Sequence, residues 1–202
     1  MRAPEFVRRG LVALAAAAAT ATVLSAAAAW SRADADALQT KLVQIATNGL
    51  AEKPASRQTS VLEREVNAYI ALHARAELPE GVLDPVVTIL PDNRLTGRAI
   101  VDLDAVRASK QRGMLSPWAL LGGKVPVEAQ GILRTEKGVG AFTLESATVG
   151  GVPVPKTILQ ELVTYYSKGP AQPDGIDLEA PFRLPARIRE IRTARGEALI
   201  VQ

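Results

Sequence analysis

The sequence has no cysteine and one histidine, with only three Phe, three Tyr and two Trp among 202 residues. Without cysteine there is no disulfide, no thiolate ligand, no thiol nucleophile and no site for a lipidated Cys. A conventional zinc centre needs several His, Cys or carboxylate ligands at fixed spacing, which a lone histidine does not supply. Aromatics at 4% argue against a base-stacking or sugar-binding surface. Catalytic signatures are missing too: there is no Gly-x-Ser-x-Gly elbow, no Ser-x-x-Lys and no glycine loop closing in Gly-Lys-Ser/Thr. Gly122-Gly123-Lys124 runs on into Val125-Pro126, which removes the hydroxyl that would hold magnesium and leaves a strand-entry turn. No segment repeats at the period of a solenoid.

What is present starts with residues 1–29. Arg2, Arg8 and Arg9 precede a run from Gly10 to Ala29 that carries no charge and closes on Ala27-Ala28-Ala29. A basic lead, an apolar middle and a small-residue end describe an export signal, so the working protein is expected to begin near Trp30 and to act outside the cytoplasm, in a periplasmic or other extracytoplasmic space. The run also approaches the roughly 20 residues that span a bilayer. Its strong hydrophobes are limited to Leu11, Val12, Leu14, Val23 and Leu24, which favours a cleaved signal over a retained membrane anchor. The leader holds three Arg and one Glu; removing them from 24 basic and 21 acidic side chains leaves 21 and 20. A formal charge near +1 gives no reason to expect nucleic acid as a partner.

The remainder reads as a helix and linker over 30–58 followed by one domain over 59–202. Leu38, Leu42, Ile45 and Ala46 fall at helical spacing, and Asn48-Gly49 signals the stop. That helix is a stalk or a packed element. Ser60 and Glu63 have capping-box spacing, and Leu62, Val66, Tyr69, Ile70 and His73 form one stripe, so a helix is expected over 60–75, packed on a sheet. From Asp84 the period becomes two. Pro91-Asp92-Asn93 turns one hairpin and Glu136-Lys137-Gly138 a second. Leu95, Gly97, Ala99, Val101 and Leu103 share one face of a strand, with Asp102 and Asp104 on the other. Gly150-Gly151 breaks the sheet before a third helix bearing Ile158, Leu159, Leu162, Val163 and Tyr166. A last hairpin flanks Ala194-Arg195-Gly196. The expected class is α+β: a curved antiparallel meander packed by two or three helices.

Several polar groups bear weighing. His73 is expected to be a partly buried helix-end residue whose charge suits the C-terminal dipole. Asp102 and Asp104 read as a solvated strand face. Asp174, Asp177 and Glu179 do not complete a calcium loop, and Arg183, Arg187, Arg189, Arg192 and Arg195 form a basic stripe suited to solvent or to anionic headgroups. The apolar stretch Met114, Leu115, Trp118, Leu120 and Leu121, flanked by Lys110, Arg112 and Lys124, is either a core-filling turn or a membrane-touching tip or lid. No cofactor, metal or catalytic residue is indicated.

The order of features is familiar: a helix carrying Glu65-Val66-Asn67-Ala68-Tyr69-Ile70, a long antiparallel meander, Gly150-Gly151-Val152-Pro153-Val154-Pro155, a helix, and the ending Leu184-Pro185-Ala186-Arg187-Ile188-Arg189-Glu190-Ile191-Arg192. After a signal or anchor segment, this layout resembles small bacterial envelope proteins of the YpmS and LmeA type and, more loosely, tubular lipid-binding (TULIP-like) domains. The resemblance implies a long helix cradled by a curved sheet, with an apolar groove between them for a lipid chain, and supplies no catalytic residue. On this reading the chain is a non-enzymatic exported envelope protein that takes a lipid or other apolar ligand. Groove candidates are Leu62, Val66, Tyr69, Ile70, Val101, Leu103, Val127, Leu159 and Leu162. The alternative is a structural or assembly factor that contacts another envelope protein or the membrane surface.

Overall fold

The computed structural model describes residues 30–109, 122–167, 173–175 and 177–202. The leader and the Met114–Leu121 stretch lie outside these residues. The architecture is α+β with two antiparallel sheets rather than one. A meander runs β2 (Val82–Ile89), β3 (Arg94–Asp102), β4 (Lys124–Glu136), β5 (Val139–Val149) and β6 (Val152–Pro153), with β7 (Phe182–Arg183) also paired to β5. The second sheet has the order β1 (Gln58–Leu62), β9 (Glu197–Val201), β8 (Glu190–Ala194). The expected last hairpin is therefore present, but it joins β1 instead of extending the meander.

The hairpins form where local chemistry specifies them. Asp92 and Asn93 both take left-handed φ, 60° and 58°, and the Arg94 N–H closes the turn on the Pro91 carbonyl. Lys137 and Gly138 do the same at 50° and 83°. Two consecutive left-handed residues match the twist of paired strands, so the register follows from the turn.

Helix α1 (Arg32–Leu50) starts on Ser31, whose Oγ accepts the Asp34 N–H. It buries Ala35, Leu38, Ile45 and Gly49, while Leu42 and Ala46 stay exposed. It packs along α2 (Glu63–Leu72) and against β1, so it is part of the fold and not a stalk. Burial of Leu38 and Ile45 contributes about 2 kcal/mol each. Gly49 does not take the left-handed cap expected of it. Its lack of a side chain lets the loop at Ala186 approach, and a Cβ there would sit 2.4 Å from the Ala186 carbonyl oxygen.

Three further expectations are corrected. Ser60 lies in β1, not at a helix start, and its hydroxyl donates to Glu197 at 2.5 Å. The helix begins three residues later, where the Leu62 N–H donates to Glu65 at 3.0 Å. Asp102 and Asp104 do not share a strand face, because β3 ends at Asp102. The Asp102 carboxylate caps α3 (Leu103–Ser109) by accepting the N–H groups of Asp104 and Ala105. Gly150 and Gly151 do not break the sheet; they form the turn, φ 62° and 80°, that folds β6 back onto β5 before α4 (Lys156–Ser167).

Side chains join the two sheets. The Thr193 N–H donates to the Asn93 side chain at 2.9 Å, and the Thr193 hydroxyl donates to the Leu90 carbonyl. The Thr135 hydroxyl accepts the Ile191 N–H at 2.8 Å and faces its carbonyl at 3.0 Å. The small sheet thus closes the end of the meander that carries the Asp92-Asn93 and Lys137-Gly138 turns.

Candidate functional site

The strand register assigns each side chain of the meander to a face. Val87, Gly97, Ala129 and Ala147 are successive cross-strand partners on β2, β3, β4 and β5. They form a row of small side chains that crosses the sheet. Leu95, Ala99, Val101, Val125 and Val127 lie on the same face by two-residue alternation. The sequence dictates this, since small and apolar residues alternate with Thr96, Arg98, Glu128 and Gln130.

The ends of the row are covered and its middle is not. At β5, Leu144, Ala147 and Leu159 of α4 form a buried cluster, with Ala129, Phe142, Val154, Val163 and Leu178 packed around it. At β2, α2 lies alongside, and Asn67 and Glu63 bond the strand's main chain. Between them Ala99, Val101, Val125 and Val127 are only half-buried and Gly97 is exposed.

Three strand glycines show the contrast. A Cβ at Gly131 would lie 2.4 Å from the Phe142 ring, and one at Gly140 would lie 2.7 Å from Phe182, so aromatic rings occupy both positions. A Cβ at Gly97 would meet nothing within 4 Å. Glycine inside a strand marks a close approach by something else. At Gly97 that space is open.

The groove candidates fall in different places. Val101 and Val127 line the open strip, and Leu159 sits in the closed α4 cluster. Leu103 has left the sheet for α3, and the Leu162 side chain lies outside the described ones. Leu62, Val66, Tyr69 and Ile70 are half-buried on the far side of β2. The fully buried positions of α2 are Glu65, Asn67 and Ala68. Its apolar stripe therefore does not face the strip over β3 and β4. Gly97, Ala99 and Val125, which complete the strip, were legible as alternation on the β3 and β4 strands but become a site only through the register.

The opposite face is mixed, with Arg94, Arg98, Glu128 and Gln130 beside Val86, Ile100 and Pro126. Arg94 donates to both carboxylate oxygens of Glu145, at 2.9 and 3.3 Å, and Gln130 adds a bond at 3.2 Å. The hydrogen bond from Arg94, then that from Gln130, holds the Glu145 carboxyl below the ordinary carboxylate value. A shallow depression of about 360 Å³ is lined by Asp84, Val86, Arg98, Ile100, Pro126, Glu128 and Thr148, with Ala99, Val127 and Gly151 completing its lining.

The other polar candidates have local partners. His73 ends α2, with Nε2 2.7 Å from the Asp36 carboxylate and its ring edge-on to Tyr69. Asp177 accepts the Glu179 N–H, and Glu179 pairs with Lys156. Arg192 is held by Glu190, and Arg189 by the Gln202 carbonyl. Among the described residues no group of three or more His, Asp or Glu is placed to hold a metal, and no helix is long and apolar enough to cross a membrane. No family model, curated protein or solved structure matches the chain.

Proposed function

We propose that the protein is a non-enzymatic exported envelope protein that holds a lipid chain or similar apolar ligand on the open strip of the meander. The observation that carries this reading is the empty space over Gly97, set in an apolar row between two covered ends. A flexible hydrocarbon chain suits a floor of Gly97 and Ala99 beside Val101, Val125 and Val127, because small side chains leave room without offering polar groups. Each buried CH₂ contributes about 0.8 kcal/mol, so affinity comes from chain length and headgroup selectivity is slight. The export reading rests on the Arg2–Ala29 leader, and the YpmS/LmeA and TULIP-like resemblance agrees with an apolar ligand. The test is solvent extraction of the purified full chain followed by mass spectrometry. A stoichiometric acyl-chain compound supports the proposal, and a ligand-free chain that takes up no fluorescent fatty-acid probe removes it.

A further inference from the structure

The two ends of the open strip, followed along the strands, differ. Its cross-strand rows on β3 and β4 step from Val101 and Val125, through Gly97 and Ala129, to Leu95 and Gly131. Exposure stops at this last row. Leu95 is half-buried and Gly131 is buried, and Ile89 and Leu144, which carry the row onto β2 and β5, are 3% and 6% exposed. The ring of Phe142 fills the place that a Gly131 side chain would take and packs on the cluster of Leu144, Ala147 and Leu159. The Gly196 N–H donates to the Ile89 carbonyl at 2.9 Å, so the β8–β9 turn also sits against this row.

The other end runs out at Asp102 and Lys124, a charged pair one register step past Val101 and Val125, with Lys124 exposed. A chain with a polar head therefore fits in one direction. The row of Ile89, Leu95, Gly131 and Leu144 has no polar side chain, so a head buried there would lose its hydrogen bonds to water without replacement. The head stays at the Asp102–Lys124 end, and the tail tip points at Phe142.

We propose that Phe142 is the stop that sets the length of the bound chain: the terminal methyl group packs against its ring, and carbons beyond that length add no affinity. This holds only if the strip carries an apolar chain, as proposed above, and Phe142 then decides which chain. From Gly97 to Val101 the strip runs about 14 Å at roughly 3.4 Å per residue. That is the reach of about eleven carbons of an extended chain, at roughly 1.3 Å each for C–C bonds near 1.5 Å. The matching ligand class is a medium-length acyl chain.

The probes are the saturated fatty acids from octanoate to stearate, titrated against the full chain. Wild-type affinity should rise about fourfold per CH₂ until the tail reaches Phe142, and then level off. In Phe142→Ala the rise should continue, so that a chain two carbons past the wild-type limit binds about tenfold tighter than it does to wild type. Phe142 also packs on the α4 cluster, so a second measurement uses the wild-type chain. A fatty acid carrying a diazirine on its terminal carbon should label Leu95, Gly131 or Phe142, which tests the proposal even if Phe142→Ala does not fold. A label on Val101 or Val125, or the same length limit in folded Phe142→Ala as in wild type, overturns this proposal alone. A label outside the strip, or no binding by any member of the series, overturns the apolar-ligand reading with it.

Discussion

Asn67 and Val87 exchange two hydrogen bonds: the Val87 N–H donates to Asn67 Oδ1 at 2.7 Å, and Asn67 Nδ2 donates to the Val87 carbonyl at 2.8 Å. One side-chain amide thus stands in for a neighbouring strand. Asn48 does the same for Ala55, accepting its N–H at 3.0 Å and donating to its carbonyl at 2.9 Å. These amides tie helices to main chain that no strand reaches.

Asn67→Ala should therefore cost about 2–3 kcal/mol, the scale of two lost bonds with a buried donor and acceptor left unsatisfied. Asn67 is only 2% exposed, so water does not replace them readily. Urea unfolding measures the loss, and the Val87 amide should exchange faster. A change below about 0.5 kcal/mol would mean that the helix does not seal this edge.

Gly49→Ala separates helix propensity from packing. Propensity alone predicts a gain of about 1 kcal/mol. The contact with Ala186 predicts a net loss of about 2 kcal/mol or more, because backbone has to move. The sign of the shift in the urea midpoint decides between them.

Ala186 and Arg187 adopt φ of 51° and 55°, a region that L-residues enter at a cost of about 1 kcal/mol or more. The strain is held in place by Gln202, whose side-chain amide donates to the carbonyls of Ala186 at 2.6 Å and Ile45 at 2.9 Å. Ala186→Gly should raise stability by about 0.5–1 kcal/mol, read by the same unfolding experiment. A loss would mean that the methyl group packs usefully.

The Glu145 carboxyl has its pKa lowered, chiefly by the hydrogen bond from Arg94. A depressed carboxylate stabilises the fold above its unfolded pKa, and that stabilisation fades as pH falls through the folded value. Glu145→Gln should lower stability modestly at neutral pH and flatten the fall on the acid side of the ordinary carboxylate range. Unfolding at a series of pH values checks this; parallel curves for the two proteins would contradict it.

What the sequence makes legible is what is decided locally. The Asp92-Asn93 and Lys137-Gly138 turns and the alternation of Leu95, Gly97, Ala99 and Val101 along β3 need only neighbours a few residues apart, and these stand. β1 was masked because Ser60 and Glu63 have helix-start spacing, while the strand's partners, Glu197 to Val201, are some 140 residues away. The α2 stripe misled for a related reason. Apolar periodicity points to Val66, Tyr69 and Ile70, yet the helix buries Glu65 and Asn67 to satisfy backbone and the Lys41 ammonium. Gly97 was assigned correctly to the apolar face of its strand, but its alignment with Ala129 and Ala147 depends on a register that no single strand carries.

The strip over Gly97 is tested most directly by filling it. Gly97 does not take a left-handed φ and has room for a side chain, so Gly97→Leu should fold normally. Native mass spectrometry of the full chain should show an acyl-chain ligand bound to wild type and lost from Gly97→Leu at an unchanged melting temperature. Equal ligand occupancy in both proteins would contradict the account.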